Sequence, residues 1–373
     1  MSTHRQQHSN QQPFYDFILV GQGLAGSILA WQLIHDGANV LVIDEYHKDA
    51  SSLVAAGIIN PITGHRLNIT DNIEHFLPNA IELYKAMESQ FQTTLIHALP
   101  QLRLIKKPGQ LDYWHQRKQQ SSHQPYLGNL HNEHSVFSES AFGIAEIKQT
   151  YRVDTNQLLK QCREWLLEHN ALQNERFDYQ SMHLNDVGVD YRGIHTKAVV
   201  FCEGFQTMNN PWWQHLPFKL AKGEILSLES DDLPSMMLNW GNWLLPSGQT
   251  HPASTLATTP IRASLTKPVY KLGSNYAWND TDLTPSSAIQ DQLLNSLYSK
   301  VSTQVQVIDH QVGIRPTTLH RQAFVGAHTE HSQIFCFNGF GSKGCLTIPQ
   351  HAQLLAKHLL HNAPLPQHLT QHL

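Results

Sequence analysis

After a polar stretch over residues 1–13, the chain enters Phe17-Ile18-Leu19-Val20, an unbroken apolar run. A run without alternation suits a strand covered on both faces, as in a parallel sheet. Residues 27–36 follow a helical rhythm, and Gly37 stands where a left-handed cap would end that helix. A second run, Val40-Leu41-Val42-Ile43, leads to Asp44. The pattern predicts a βαβ opening.

Further along, the spacing predicts helices over 73–92, 155–169, 286–304 and 349–361, with Asp154 or Thr155 capping the second. Ala198-Val199-Val200-Phe201 and Ile334-Phe335-Cys336-Phe337 read as short buried strands, and 217–278 reads mostly as strands and turns. Glycine turns between strand and helix cluster near both chain ends, and antiparallel-looking stretches fill the middle. The expected fold class is α/β. A Rossmann-like nucleotide domain is built from 14–60, 148–216 and 306–373. A second, α+β domain is built from 61–147 and 217–305 on a largely antiparallel sheet.

The motif at the first turn is Gly21-Gln22-Gly23-Leu24-Ala25-Gly26. Gly21 permits the tight turn, Gly23 lets the backbone approach a pyrophosphate, and Gly26 lets helix and strand pack closely. Leu24 and Ala25 open the helix, whose N-terminal N–H groups and partial positive charge suit phosphates. Asp44, followed by Glu45, is placed to accept hydrogen bonds from a ribose diol. An acid there repels a 2′-phosphate and argues against NADP. FAD and NAD share the ADP half, so the motif leaves that choice open. It leaves open as well a purely structural turn that needs glycines for packing.

Composition narrows the function classes. With 40% hydrophobic and 15% charged residues over 373 positions, the chain has a globular balance. Its net charge of -4 shows no basic surplus, so no nucleic-acid partner is expected. Cys162, Cys202, Cys336 and Cys345 form no C-x-x-C pair, which suits a reducing cytoplasm. The 25 histidines are scattered; His131 with His134, and His358 with His361, lack further nearby ligands, so no metal is expected. No apolar run reaches membrane-spanning length. Residues 17–30 resemble a signal-peptide core behind Arg5, but Gln22 and the three patterned glycines serve no purpose in a cleavable segment.

Three further segments give the chain a family resemblance. They are Ser52-Leu53-Val54-Ala55-Ala56-Gly57-Ile58-Ile59-Asn60-Pro61, Gly313-Ile314-Arg315-Pro316-Thr317, and the stretch from Asn338-Gly339-Phe340-Gly341 through Ser342-Lys343-Gly344-Cys345 to Leu346-Thr347-Ile348. With the opening motif they resemble the D-amino-acid oxidase / glycine oxidase / sarcosine oxidase superfamily of FAD-dependent oxidoreductases. The resemblance spans residues 14 to about 362 and is weak over 62–150 and 205–270. It implies FAD, with Ala55, Ala56 and Gly57 passing over the pyrophosphate and flavin. Gly204 closes the strand at 198–201. Gly341, Ser342, Lys343, Gly344 and Thr347 hold the flavin edge. Members with covalent flavin carry a cysteine near the segment matching 310–318; none stands here, which implies non-covalent FAD, with Cys345 a packing residue.

The resemblance also implies chemistry. Amine oxidation by flavin moves a hydride from the carbon bearing nitrogen, and negative charge develops on the ring, so a positive group or a helix N-terminus nearby is useful. Thr347-Ile348-Pro349-Gln350 fits a capping box that would start such a helix. Lys343 is either a charge near the flavin or an exposed loop lysine. Arg315 is expected to pair with a substrate carboxylate through its guanidinium fork, the other reading being a structural salt bridge. Tyr276 and Trp278 are expected in the pocket or in simple packing. The expected activity is oxidation of the C–N bond of a small amino acid or secondary amine, with oxygen or a quinone as acceptor. The alternatives are an oxidase of a modified tRNA base, since a related domain occurs in wobble-uridine modification, and a non-catalytic FAD-binding module.

Overall fold

The computed structural model describes residues 13–46, 50–138, 142–252 and 266–373. The polar leader before residue 13 lies outside them. The predicted opening is present as strand β1 (Phe14–Val20), helix α1 (Leu24–His35) and strand β2 (Val40–Ile43). β1 lies between β2 and the strand Ile194–Phe201, parallel to both, with Val20 opposite Ile43 on one side and Phe201 on the other. Leu172–Gln173 extends the parallel sheet beyond β2, and Ile334–Asn338 extends it beyond Ile194–Phe201.

The unbroken apolar runs follow from cover on both faces. Leu19, Val40, Val42 and Val200 face the helical side, with Ile28 and Leu33 of α1 and Leu355 of the helix Gly344–His361. Their neighbours Ile18, Val20, Leu41 and Phe201 face the other way, onto Phe177, Tyr191 and Trp213. Successive strand residues point to opposite faces, so a strand buried on both sides must be apolar at every position. Gly37 ends α1 as expected: its φ is +91°, and the N–H groups of Gly37 and Ala38 close back on Ile34 and Leu33.

The second sheet begins at one edge with Gln306–Arg315, then Ala221–Glu229, Thr266–Gly273 and Trp243–Pro252. It continues through Met237–Asn239, Gln101–Leu104, Ile144–Ile147 and Leu127–His131. Every pairing is antiparallel except that of Met237–Asn239 with Gln101–Leu104. Leu293 and Leu297 of the helix Ser287–Tyr298 cover Leu226, Leu244 and Leu272 on one face. Gln306–Arg315 pairs with Ala221–Glu229 along its length, so we place the return to the nucleotide unit after Arg315 rather than at residue 306.

Two helix ends differ from expectation. The helix predicted over 286–304 stops at Tyr298, because the Lys300 carbonyl accepts the Ser138 N–H outside the helix. The β-branched and hydroxylated Val301-Ser302-Thr303 that follow favour leaving it. The helix predicted over 155–169 is Thr155–Glu168, and Asp154 is its cap, accepting the Gln157 N–H at 3.1 Å.

A short helix, α2 (Ser51–Val54), and the extended Ile58–Ile59 lead from β2 towards the second sheet. Between them Gly57 has φ +70°, and a Cβ on it would stand 1.8 Å from the Val153 carbonyl oxygen. Gly37 also has positive φ, but nothing lies within 4 Å of its Cβ position. Gly37→Ala should therefore cost about 1 kcal/mol in backbone strain alone. Gly57→Ala, which adds a clash with fixed backbone, should cost at least about twice that. Urea midpoints of the two variants check this; equal losses would show that the Val153 contact yields freely.

Candidate active site

The turn after β1 is built by its glycines. Gly21 has φ +98°, and a Cβ there would sit 2.8 Å from the Cys202 carbonyl oxygen. A Cβ on Gly26 would fall 1.9 Å from the Gly21 carbonyl oxygen, so α1 can start this close to the turn only with glycine at that position. Gly23 has only Ser52 Oγ near its Cβ position, at 3.6 Å, and its open side faces a cavity. α1 carries no side-chain N-cap bond and no acid in its first turn, and the Leu24 N–H donates to Ser52 Oγ at 3.1 Å. Its partial positive charge is thus left for whatever fills the cavity.

The cavity, about 450 Å³, runs between the two sheets. Gly21, Gly23, Leu24 and Ala25 line it, with Gly26 packed behind them. Asp44 and Glu45 stand at the end of β2, and Ala55, Ala56 and Gly57 line the crossing segment. Gly204, with φ +57° and open space at its Cβ position, follows the strand Ile194–Phe201. Gly341, Ser342 and Gly344 line the wall formed by the last turn.

Two residues expected to hold the flavin edge at the last turn do not reach the cavity. Lys343 is exposed and absent from the lining, so of its two readings the structure favours the loop lysine. Thr347 is already inside the last helix, which begins at Gly344, and its Oγ1 donates to the Lys343 carbonyl at 3.2 Å. The capping box is therefore absent. The helix starts earlier because Pro349, which has no N–H for the carbonyl of Cys345, is tolerated there: the Tyr84 hydroxyl donates to that carbonyl at 2.8 Å instead. The N-terminus of this helix still meets the cavity, now through Gly344 and Cys345.

Asp44 is held tightly. Its Oδ2 accepts the Gln22 N–H at 2.9 Å; its Oδ1 accepts the Tyr46 N–H at 2.8 Å and Arg163 Nη1 at 3.1 Å. Arg163 also donates to Gln22 Oε1 and Asn174 Oδ1 and lies over the Tyr46 ring. Nothing local in the sequence marks Arg163, which comes from a distant helix. Each carboxylate oxygen has two acceptor sites, so Oδ2 keeps one for a ribose hydroxyl. Because Arg163 offsets its charge, repulsion of a 2′-phosphate is weaker than the sequence suggested.

Glu203 is a further acid in the wall that sequence reasoning did not place in the site. Tyr179 donates to its Oε1, and Asn210 Nδ2 donates to its Oε2 at 2.8 Å. Burial outweighs those bonds and raises its pKa to about 7.

At the far end, Arg315 lies flat against Gly223, where a Cβ would stand 2.1 Å from Nη2. Nη2 donates to Ser274 Oγ at 2.8 Å, and the guanidinium sits 4.2 Å from the centre of the half-exposed Tyr276 ring. Nη1 is buried without a hydrogen-bond partner, and no carboxylate among the described residues pairs with Arg315. Burial lowers its pKa. Among the described residues Arg315 therefore makes no structural salt bridge. Tyr276, Ser274 and Trp243 line the cavity beside it, whereas Trp278 does not and lies under Lys219. Of the cysteines, Cys202 and Cys345 line the cavity; burial raises both thiols, Cys345 to about 12.

Comparison with known proteins accounts for this arrangement. A family model described as FAD dependent oxidoreductase matches residues 16–358. The chain belongs to that family. Its fold is similar to that of a glycine oxidase from Bacillus cereus ATCC 14579, with TM-score 0.76 at 16% identity, covering 95% of this chain and 97% of that one. It is likewise similar to an iminodiacetate oxidase from Chelativorans sp. BNC1, with TM-score 0.74 at 18% identity, covering 94% and 97%. An L-proline dehydrogenase from P. horikoshii shares the fold at TM-score 0.70 and 13% identity, covering 95% of each chain. The protein is thus an FAD-dependent oxidoreductase with the D-amino-acid oxidase-like fold. Its cavity fits the cofactor: an uncapped helix N-terminus, a glycine cradle with open space above Gly23 and Gly204, and an anchored carboxylate at one end. Among the described residues no helix is long and apolar enough to cross a membrane.

Glu203 gives this site a pH signature. Between pH 4.5, its ordinary pKa, and about 7, the unfolded chain has released this proton and the folded chain retains it. Stability from this group therefore falls as pH rises through that window. Glu203→Gln should flatten the decline between pH 5 and pH 8 while matching the parent at pH 4.5 or below. Thermal unfolding of both proteins with saturating FAD measures this, and parallel curves would show that the carboxyl titrates normally.

Proposed function

We propose that this flavoprotein oxidises the C–N bond of a small amino acid or secondary amine, and that Arg315 holds the substrate carboxylate. The observation that carries the reading is the buried guanidinium with Nη1 unpartnered and no acid paired with it among the described residues. A buried cation without a counter-charge is costly, and a carboxylate from outside would satisfy it. The Tyr276 ring and Ser274 Oγ fix the plane of the fork, and Gly223 lets it lie close to the backbone.

FAD, when bound, would supply the two-electron acceptor for the hydride that leaves the carbon bearing nitrogen, the amine nitrogen giving up a proton as the imine forms. The turn Gly21–Gly23 and the start of α1 would hold its pyrophosphate, and Asp44 its ribose. Ala55, Ala56 and Gly57 leave room for the cofactor to pass between the sheets. The N-terminus of the helix Gly344–His361 offers its dipole to negative charge formed beside Gly344. Attachment is non-covalent in this reading: the thiols of Cys202 and Cys345 are held protonated, and 310–318 contains no cysteine. Oxygen or a quinone would take the electrons onward.

Arg315→Met tests the assignment. Removing one member of a buried, hydrogen-bonded charge pair costs about 2–5 kcal/mol, so kcat/KM for the best amino acid should fall roughly thirty- to several-thousand-fold. The comparison requires variant protein with normal FAD content and melting temperature. Near-parental efficiency in such protein would show that Arg315 is not the carboxylate clamp. Anaerobic bleaching of the flavin by a panel of amines identifies the donor class independently.

A further inference from the structure

A second cleft, about 590 Å³, lies in the other unit and is distinct in its charge. Arg103, Lys106, Lys107 and His65 line it, and no aspartate or glutamate does. Composition does not force this, since the chain carries 30 acids against 26 Lys and Arg.

The fold brings the cations together from two neighbouring elements. Arg103 comes from the strand Gln101–Leu104 and reaches across to donate from Nη2 to the Gly64 carbonyl at 2.7 Å. Burial lowers its pKa to about 10. Lys106 and Lys107 sit on the turn into the helix Pro108–Lys118. Lys107 is the N-cap of that helix, without a side-chain cap bond, and its first turn contains no acid. The Lys106 ammonium lies 3.2 Å from the Cβ position of Gly241, on the opposite rim. Its pKa is lowered by burial and by Lys300, Lys107 and Arg103 around it. Among the described residues Arg103, Lys106 and Lys107 make no ion pair with a carboxylate. The cluster therefore repels itself in the free protein, and a helix N-terminus of the same sign opens onto it.

We propose that this cleft binds a phosphorylated small molecule, its phosphate held by the Arg103 fork, the Lys106 and Lys107 ammonium groups and the start of the helix Pro108–Lys118. A phosphate dianion matches the set because it accepts from several donors at once and offsets more than one charge. Gln110, Asn60 and Asn239 supply neutral polar contacts for the rest of the ligand. The cleft volume exceeds what a bare phosphate fills. The rim segment Asn239–Gly241 runs directly into Trp243, which lines the flavin cavity, so the two sites share one hairpin. The inference is independent of the reaction proposed above, since it invokes no residue of the flavin cavity.

The test is calorimetric titration of the FAD-loaded protein with inorganic pyrophosphate, the bound FAD occupying the other phosphate site. Saturable one-to-one binding that weakens with salt is expected. Lys106→Gln, at an exposed position, should weaken it about tenfold, the loss of one charge-assisted contact, with an unchanged melting temperature. Arg103→Gln should weaken it further, and its flavin spectrum and melting temperature report whether it folds. Turnover of amines by the Lys106→Gln protein should match the parent. Absence of pyrophosphate binding, or equal binding by Lys106→Gln, overturns the proposal. So does salt-steep binding of an RNA hairpin by a protein that ignores pyrophosphate, since that would make the cleft a nucleic-acid surface.

Discussion

The backbone of Gly26 lies so close to the Gly21 carbonyl that a single methyl group would stand 1.9 Å from it. This approach sets where α1 begins, and hence where its uncapped N-terminus points. It also fixes the turn against the Cys202 carbonyl, and through it the next strand's exit at Glu203-Gly204. Ser52 Oγ, receiving the Leu24 N–H, ties the crossing segment to the same point. Three stretches far apart in sequence thereby converge on one cradle. The hydrophobic faces of β1 and β2 supply the stability that permits so tight a contact.

The site is completed from the other sheet. Gln306–Arg315 runs beside Ala221–Glu229, and Arg315 ends that strand opposite Ala221. Gly223, two positions along, gives the guanidinium its resting place. The cavity consequently carries paired charge at one part, where Asp44 and Glu45 meet Arg163 and Arg176, and the unpaired Arg315 guanidinium at another. In a low-dielectric cleft the unpaired cation would orient a ligand by its anionic end.

What the sequence revealed, and what it hid, follows the range of the forces involved. The βαβ opening, the Gly37 cap and the strand at 198–201 were legible because their signals are local: apolar runs, glycine spacing, a breaker after a helical rhythm. The start of the last helix was misread because Pro349 looks like a first-turn proline. Only Tyr84, from a helix far upstream, shows how the missing N–H is compensated. Arg163 and Glu203 escaped notice for the same reason, their partners lying on other elements. Gln306–Arg315 carries no local mark of the sheet it joins, since partner choice depends on the strand it meets.

Two arginines at the two ends of the cavity show why residue type alone could not assign roles. Arg163 donates to Asp44, Gln22 and Asn174 and stacks on Tyr46, so its donors are used within the protein. It serves to hold Asp44 in place. Arg315 stacks similarly on Tyr276 but has one hydrogen bond to a neutral hydroxyl and a buried Nη1 with no partner. Keeping a buried cation in that state opposes folding, and neither packing nor strand pairing requires a guanidinium there, since a neutral side chain would fill the same space at less cost. That asymmetry is the ground on which the carboxylate-binding role is proposed for Arg315 rather than for Arg163.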